Sequence, residues 1–313
     1  MACDLCPRHC AVERRRGQQG YCGMGADVTV ARVAPHFWEE PCISGEKGSG
    51  TVFFSGCNLR CVYCQNHKIA AGRTGKQLTI EELSDAFLSL QDRGCHNINL
   101  VTPSHFVPQI RKALCRAKLT IPVVYNTSSY ECVDTLRQVE GLVDIYLADL
   151  KYLNKDIAKK YSHAEDYPET AKAAIREMVR QVGGIEYELV GEDGNVSGPG
   201  KRICNATEYP DGALMKRGVI VRHLLLPGQV EEAKQVLRYL YETYKDTIAI
   251  SILNQYTPLP HVAAYPELNR KVTDEEYEEV VDYAIELGIE NAFVQEGETA
   301  EESFIPAFDG EGV

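Results

Sequence analysis

The chain has 313 residues, of which 44% are hydrophobic and 25% are charged, so it can bury a core and is neither disordered nor fibrous. Its formal net charge of −12 argues against general binding to a phosphate backbone, and nucleic acid is not an expected partner. No apolar run approaches the roughly 20 residues that span a bilayer. The first residues also have no apolar signal-peptide core, so we expect a cytoplasmic protein without a membrane partner.

Four cysteines lie close together in a Cys-rich N-terminal extension, which we assign to residues 1–48. They are Cys3, Cys6, Cys10 and Cys22, out of 12 cysteines in the chain. In a reducing compartment such enrichment indicates metal binding or catalysis rather than disulfides. Four thiolates are suitable ligands for zinc or for a second iron–sulfur cluster, and a set of reduced, unligated thiols is the alternative. Because four protein ligands leave no open coordination position, a metal here is expected to be structural or to relay electrons.

From residue 49 onward, short apolar runs alternate with amphipathic stretches. The runs are rich in β-branched residues and too short for helices, which indicates buried parallel strands. They cover residues 51–55, 98–101, 121–125, 144–150, 218–226, 247–253 and 291–294. Helix patterns cover residues 79–93, 168–182, 229–244 and 273–287. Six βα units predict an α/β fold, a partial (β/α)6-type open parallel barrel, or incomplete TIM barrel.

Two segments fall outside this alternation. Residues 189–215 have no clear periodicity, and we expect an insertion that is either a functional lid or a mobile loop. The barrel is then assigned to residues 49–295, and residues 296–313 form a C-terminal tail.

Three cysteines follow the first predicted strand directly, in the motif Cys57-Asn-Leu-Arg-Cys61-Val-Tyr-Cys64. Each thiolate can take one iron of a 4Fe-4S cluster, which leaves the fourth iron without a protein ligand. A cluster with four cysteine ligands only transfers electrons, whereas an open iron can also bind substrate. A structural zinc site with one remote ligand is the alternative, although zinc sites more often pair cysteines as C-x2-C.

Residues 53–66, Phe-Phe-Ser-Gly-Cys-Asn-Leu-Arg-Cys-Val-Tyr-Cys-Gln-Asn, resemble the signature of radical S-adenosylmethionine (SAM) enzymes. More narrowly, the chain resembles the branch related to the pyruvate formate-lyase activating enzyme, of the AmmeMemoRadiSam type. Segments that carry this narrower resemblance are residues 6–10, 149–152, 221–228 and 303–306. The resemblance implies that SAM is cleaved reductively at the cluster to a 5′-deoxyadenosyl radical, which abstracts a hydrogen atom from a substrate.

The resemblance also implies SAM-binding residues at the carboxyl ends of the strands, where parallel barrels place their chemistry. Asp149 and Lys151 resemble residues that hold the ribose hydroxyls and the SAM carboxylate, and a surface ion pair is the alternative. Thr102 and Pro103 stand where the family usually has Gly-Gly-Glu, so a backbone carbonyl or the Thr102 hydroxyl would receive the SAM amino group. Arg222 in the interior would need a carboxylate partner. The full set is Tyr63, Asn66, Thr102, Pro103, Asn126, Asp149, Lys151, Arg222 and Gln255.

Three functions remain open at this point. The first is hydrogen-atom abstraction from a protein partner, as the glycyl-radical activating enzymes perform it. The second is a radical enzyme that modifies a small molecule, peptide or nucleoside. The third is a non-catalytic zinc or iron–sulfur protein. Either enzyme would need a one-electron donor such as flavodoxin or ferredoxin, and its substrate is set by variable loops at the barrel mouth.

Overall fold

A computed structural model describes residues 2–72, 74–189, 212–295, 306, 308 and 310–313 of the chain. Its strands are β1 (Val28–His36), β2 (Ser49–Phe54), β3 (Lys76–Leu78), β4 (Ile98–Val101), β5 (Val123–Thr127), β6 (Ile145–Asp149), β7 (Glu186–Leu189), β8 (Ala213–Leu224), β9 (Ala249–Leu253) and β10 (Ala292–Val294). Its helices are α1 (Pro41–Ser44), α2 (His67–Ala70), α3 (Ile80–Asp92), α4 (Val107–Ala117), α5 (Val133–Leu136), α6 (Lys155–Ser162), α7 (Tyr167–Val182), α8 (Val230–Tyr244) and α9 (Asp274–Leu287).

The strands form one mostly parallel sheet that does not close. Its order is β10-β9-β8-β6-β5-β4-β2-β1-β3. Every neighbouring pair from β10 to β2 is parallel, whereas β1 pairs antiparallel with both β2 and β3. Within the described residues β10 and β3 are the two ends of this order, so the predicted open, partial barrel is confirmed.

Helices begin where the sequence places their caps. The Thr79 hydroxyl accepts a hydrogen bond from the Glu82 N–H, and the Glu82 carboxylate accepts one from the Thr79 N–H, so α3 begins with a capping box. Thr273 and Glu276 make the same exchange at α9. The predicted bounds of α3, α7, α8 and α9 each agree with the structure to within one residue at either end.

Alternate residues of the parallel strands face two different layers, as the two-residue period of a strand requires. One set packs against the long helices in the main hydrophobic core. The other set, which includes Val124, Leu147 and Ile220, packs against the short helix α1. We call this second face the inner face. Asn126, Asp149 and Arg222 lie two residues further along β5, β6 and β8, and they therefore share the inner face.

The structure departs from the sequence prediction in the N-terminal extension. β1 lies in this segment and pairs with β2, although its sequence contains Arg32 and Pro35 and lacks a continuous apolar run. β3 pairs only with residues 28–30 of β1, so Arg32 and Pro35 lie in the part of β1 that pairs with β2 alone among the described strands. A strand segment that has a partner strand on one side only tolerates proline and charge. The boundary drawn at residue 48 stays a prediction.

Two further boundaries shift. The third predicted run, residues 121–125, becomes the strand at residues 123–127, and residues 213–215 belong to β8 rather than to the insertion. β7 and β8 pair at the base of the insertion, with Leu189 opposite Ala213. Residues 190–211 of the insertion, and most of the C-terminal tail with residues 303–305, lie outside the described residues. No helix among the described residues is long and apolar enough to cross a membrane.

Candidate functional site

The three cysteines of the C-x3-C-x2-C motif lie on the loop between β2 and α2. The loop leaves β2 through Gly56, which has a left-handed φ of +85°. A Cβ atom on Gly56 would lie 2.6 Å from the Cys22 carbonyl oxygen, so only glycine allows this close approach. The buried Asn58 side chain then donates to the Tyr130 carbonyl at 2.7 Å and fixes the loop against the end of β5. Cys57, Cys61 and Cys64 are thereby held on one short, partly buried loop.

Each of the three sulfurs has a hydrogen-bond donor. The Leu59 N–H donates to Cys57 Sγ at 3.3 Å, and the Asn66 N–H donates to Cys64. Cys61 Sγ instead accepts from the Ser162 hydroxyl at 3.1 Å. Such donors stabilise sulfur that carries negative charge, as it does when it ligates a metal.

Cys61 is joined to a buried row of hydroxyl groups. The Tyr152 hydroxyl lies 3.0 Å from Ser162 Oγ and 2.5 Å from the hydroxyl of Tyr63. Burial raises the pKa of the Cys61 thiol, while the nearby Lys151 ammonium acts in the opposite direction. Burial also raises the pKa of Cys64. Ligation would therefore replace a thiol proton with metal at these positions.

Asp149 forms the centre of an ion-pair network on the inner face. Its two carboxylate oxygens lie 2.7 Å from Lys151 Nζ and 2.9 Å from Arg222 Nε. Burial alone would raise the pKa of Asp149, but Lys151 and Arg222 more than offset it, and the pKa is lowered. The Asp149 carboxylate likewise raises the pKa of Lys151 against the effect of burial. All three groups are therefore charged over the physiological range of pH.

Arg222 extends this network to a carboxylate that the sequence analysis did not select. Its other two guanidinium nitrogens lie 3.1 Å from Glu39 Oε2 and 2.7 Å from Asn126 Oδ1. The Asn126 and Asn99 side-chain amides donate to Glu39 Oε1 at 3.1 and 2.9 Å. Glu39 precedes α1, which packs against the inner face and places Glu39 beside Asn126 and Arg222. An acidic pair before a proline has no sequence signal that distinguishes it from a solvated turn.

Thr102 has a strained backbone at the carboxyl end of β4. Its φ is +60°, a left-handed conformation that is unfavourable for a β-branched residue. Its N–H donates to the Asn126 carbonyl at 2.9 Å, which ties the ends of β4 and β5 together. Pro103 follows and begins the turn that leads into α4, with its carbonyl 2.8 Å from the Phe106 nitrogen. The structure thus holds a β-branched L-residue in a conformation that glycine adopts most easily.

The remaining predicted residues border the cysteine loop. Asn66 is the N-terminal capping residue of α2, and its carbonyl accepts from Ile69 and Ala70. Gln255 follows β9, and its carbonyl accepts a hydrogen bond from the Gln65 side chain at 2.8 Å. This bond joins the cysteine loop to the opposite part of the sheet.

The N-terminal cysteine segment contacts the same loop through Cys22, whose carbonyl oxygen approaches Gly56. Cys6 and Cys22 are buried, and Cys3 and Cys10 are partly buried. Arg8 lies between the two cysteine groups and donates to Asn58 O at 2.7 Å and to Ser162 O at 3.1 Å. Arg8 and Ser162 were not selected from the sequence because nothing in their neighbours predicts a contact across half the chain.

The residues present fit an iron–sulfur cluster and a bound zwitterion. Three sulfurs on one loop have hydrogen-bond donors, and a lysine, an arginine and carboxylates lie at the adjacent strand ends. Such groups can bind a carboxylate and hydroxyl groups together. No three Cys, His, Asp or Glu side chains of the described residues are placed to share a single metal ion.

Comparison with known proteins gives one family match. Residues 51–194 match the model of the radical SAM superfamily. An uncharacterized protein of Methanocaldococcus jannaschii is 24% identical over 291 residues, which cover 90% of this chain and 74% of that protein.

Solved structures resemble the fold. A radical SAM methyltransferase from Sphaerobacter thermophilus superimposes with a TM-score of 0.50 at 16% identity, over 78% of this chain and 65% of that chain. Streptococcus suis SuiB bound to its precursor peptide SuiA gives a TM-score of 0.47 at 12% identity, over 78% of this chain. The matched region spans only 47% of the SuiB chain. At these identities the likeness concerns the fold alone.

Proposed function

Because residues 51–194 match the model of the radical SAM superfamily, we propose that the chain is an enzyme that cleaves SAM reductively and abstracts a hydrogen atom from a substrate. The observation that carries the proposal is the set of donors around Cys57, Cys61 and Cys64, each of which accepts a hydrogen bond at sulfur. A 4Fe-4S cluster on these cysteines would supply one electron to the sulfonium of SAM, giving methionine and a 5′-deoxyadenosyl radical.

The protein's own groups would bind and orient SAM. Lys151 and Arg222 are cations that can hold the methionyl carboxylate, and Asp149 can accept hydrogen bonds from the ribose hydroxyls. Since Asp149 is already fixed by both cations, little side-chain entropy remains to be lost when SAM binds. The Thr102 carbonyl or hydroxyl would receive the amino group, as its place at the end of β4 suggests.

The surrounding aromatic residues would exclude water from the radical. The buried rings of Tyr63 and Tyr256 lie 6.2 Å apart beside the cysteine loop, and Tyr152 and Tyr167 lie 5.5 Å apart behind it. A dry chamber prevents side reactions of a reactive intermediate. Because the Ser162 hydroxyl donates to Cys61, Tyr152 donates to Ser162 Oγ and Tyr63 donates to Tyr152. Neither tyrosine hydroxyl is therefore a free donor.

Two classes of substrate are compatible with this chemistry. Resemblance to glycyl-radical activating proteins favours a protein partner. The SuiB structure contains a precursor peptide, and modification of a peptide, small molecule or nucleoside is the second candidate. A flavodoxin or ferredoxin would be the electron donor in either case.

The decisive experiment measures 5′-deoxyadenosine formed from SAM. The protein is reconstituted anaerobically with iron and sulfide and reduced with dithionite. We expect product from the wild type and none from Cys57→Ala/Cys61→Ala/Cys64→Ala. Cys115→Ala, which changes an exposed cysteine on α4, is the matched control and should retain activity.

A second readout separates loss of the cluster from loss of turnover. SAM that binds at an open iron changes the electron paramagnetic resonance (EPR) spectrum of the reduced cluster. The proposal is wrong if the wild type assembles a cluster whose EPR spectrum does not change when SAM is added, and if the protein forms no 5′-deoxyadenosine. If it cleaves SAM, a glycyl-type signal on an added protein partner would distinguish the protein substrate from the small-molecule substrate.

A further inference from the structure

We propose that Cys3, Cys6, Cys10 and Cys22 bind a second iron–sulfur cluster, which lies directly against the loop of Cys57, Cys61 and Cys64. The proposal concerns metal content and does not depend on the proposed cleavage of SAM.

Backbone hydrogen bonds bring the first three cysteines into one compact turn. The Cys3 N–H donates to the Val12 carbonyl at 2.9 Å, and the Ala11 N–H donates to the Cys3 carbonyl at 3.2 Å. Within this closed segment the His9 N–H donates to the Cys6 carbonyl at 3.1 Å. Residues 3–12 are therefore folded back on themselves without help from a helix or strand.

Gly20 brings the fourth cysteine to this turn. A Cβ atom on Gly20 would lie 3.1 Å from Cys10 Sγ and 3.5 Å from Cys22 Sγ, so both sulfurs border the same small residue. Cys22 lies close enough to Cys3 for their thiolate charges to interact, and Cys6 lies within the same range of Cys3 and of Cys22. The four sulfurs thus converge from positions that are up to 19 residues apart in sequence (22 − 3).

Two of the four N-terminal sulfurs, those of Cys6 and Cys22, have the same hydrogen-bond pattern as two sulfurs of the barrel loop. In the barrel loop, the N–H two residues after Cys57 and after Cys64 points at the respective sulfur. At the N-terminus, the Arg8 N–H does so for Cys6 and the Met24 N–H does so for Cys22. An N–H aimed at sulfur two residues earlier is a local conformation that stabilises a metal-bound thiolate. Its repetition in both groups indicates that both bind metal.

Two arginines attach the N-terminal group to the barrel loop. Arg8 donates to four carbonyl oxygens, those of Asn58, Leu59, Ser162 and His163, at 2.5 to 3.2 Å. Arg14 is buried and donates to the His105 carbonyl at 2.5 Å. All four Arg8 bonds end on backbone carbonyls of the barrel loop and of the end of α6, and the Arg14 guanidinium also lies 5.4 Å from the centroid of the Phe106 ring. The terminal segment is therefore attached to the barrel at several points.

Among the residues that the structure describes, the four thiols are not arranged as ligands of a single zinc ion. Tetrahedral zinc holds thiolates about 3.8 Å apart, given Zn–S bonds of about 2.3 Å. No three ligand-type side chains of the described residues meet the requirement of a single ion, and this applies to Cys57, Cys61 and Cys64 as well. Iron and sulfide ions separate the thiolates of a cluster, so both groups are suited to the same kind of centre.

The test compares iron, sulfide and zinc per chain in four full-length proteins. These are the wild type, the barrel-loop variant Cys57→Ala/Cys61→Ala/Cys64→Ala, the N-terminal variant Cys3→Ala/Cys6→Ala/Cys10→Ala/Cys22→Ala, and the control Cys115→Ala. Zinc is measured in the protein as purified, and iron and sulfide after anaerobic reconstitution. We expect about eight iron atoms in the wild type and the control, and about four in each of the other variants.

The barrel-loop variant is the decisive protein, because it tests the N-terminal group even if the N-terminal variant does not fold. Its reduced form should retain an iron–sulfur EPR signal that does not change when SAM is added. A barrel-loop variant that holds no sulfide would overturn the proposal. So would a result in which every protein except the N-terminal variant holds one zinc ion per chain. Either result leaves the proposed function intact, since SAM cleavage by the wild type is measured separately.

Discussion

The hydroxyl of Ser162, the last residue of α6, donates to Cys61 Sγ at 3.1 Å across 101 residues of sequence. It is the one donor to the three barrel-loop sulfurs that comes from a side chain rather than from a backbone N–H of the loop, among the contacts described above. A point substitution at Ser162 can therefore remove this bond without changing the sequence of the loop.

We expect Ser162→Ala to lower the reduction potential of the bound cluster. Hydrogen bonds to sulfur favour the more negative, reduced state, and a bond to a charged group contributes about 1.5–3 kcal/mol. Since 1.4 kcal/mol corresponds to about 59 mV for one electron, a bond of this strength that formed in the reduced state alone would shift the potential by about 60–130 mV. The bond is present in both oxidation states, so the shift should be smaller, on the order of tens of millivolts. Redox titration followed by EPR measures it. Ser84→Ala, which removes another buried hydroxyl on α3, should leave the potential unchanged.

Arg222 should be important for both stability and SAM binding. Arg222→Met leaves the Asp149 and Glu39 carboxylates without their shared partner, and the free energy of unfolding should fall by about 3–5 kcal/mol. Arg222→Lys keeps the charge but cannot reach three partners at once, so a smaller loss is expected. Urea denaturation and calorimetric titration with SAM measure the two effects. Loss of stability no greater than that of the exposed Arg238→Met would contradict this role.

Thr102→Gly should stabilise the fold and weaken SAM binding. Glycine relieves the left-handed strain, which costs on the order of 1 kcal/mol, but it removes the hydroxyl and loosens the end of β4. Lys118→Gly is the matched variant, because Lys118 also has a positive φ, at the end of α4. Both variants should show a higher unfolding free energy, and only Thr102→Gly should show a higher dissociation constant for SAM. Equal affinities for SAM would exclude a role of the Thr102 hydroxyl in binding and would leave its backbone carbonyl as the acceptor.

Glu131 should make stability fall as the pH rises from about 4.5 to about 7. Burial raises the pKa of Glu131 to about 7, although the Ser104 and Thr127 hydroxyls donate to it and act in the opposite direction. Over this interval the folded state binds more protons than the unfolded state, so unfolding becomes easier as the pH increases. Glu131→Gln removes this ionisation. The unfolding free energy that is lost between about pH 4.5 and pH 7 should therefore be smaller in the variant, by up to about 3 kcal/mol.

Urea denaturation of the wild type and Glu131→Gln between pH 5 and pH 8 tests this prediction. The two proteins should differ most at the high end of the range, where the variant is the more stable. Glu278→Gln on the exposed face of α9 serves as the control and should follow the wild type. Parallel curves for the wild type and Glu131→Gln would refute the buried ionisation.

Most of the fold was predictable because its signals are local. A strand such as β6, buried on both faces, produces a continuous apolar run, and the caps at Thr79 and Thr273 are encoded within four residues. β1 was missed because Arg32 and Pro35 interrupt its apolar pattern, in the part of the strand that pairs with β2 and not with β3. Its partners are supplied by β2 and β3, which lie further along the chain.

The site was predictable only where a motif or a strand end marks it. The cysteine loop and Asp149 have such marks, and the structure places Asp149, Lys151, Arg222 and Asn126 in one network. Glu39 has none: it meets Arg222 across 183 residues because α1 lies against the inner face. Contacts of this kind depend on the tertiary fold and have no counterpart in a local pattern.

The bonds of Arg8 also constrain the order in which the protein can mature. Arg8 reaches the carbonyl of His163, which is 155 residues further along the chain. At a synthesis rate of roughly 5–20 residues per second, about 8–31 s pass on the ribosome between the two residues. During that interval the N-terminal thiols have neither their barrel contacts nor the α6 carbonyls beside them. Delivery of iron and sulfide to the barrel loop, and to the N-terminal group that we propose as a second site, is therefore expected to follow the synthesis and folding of α6.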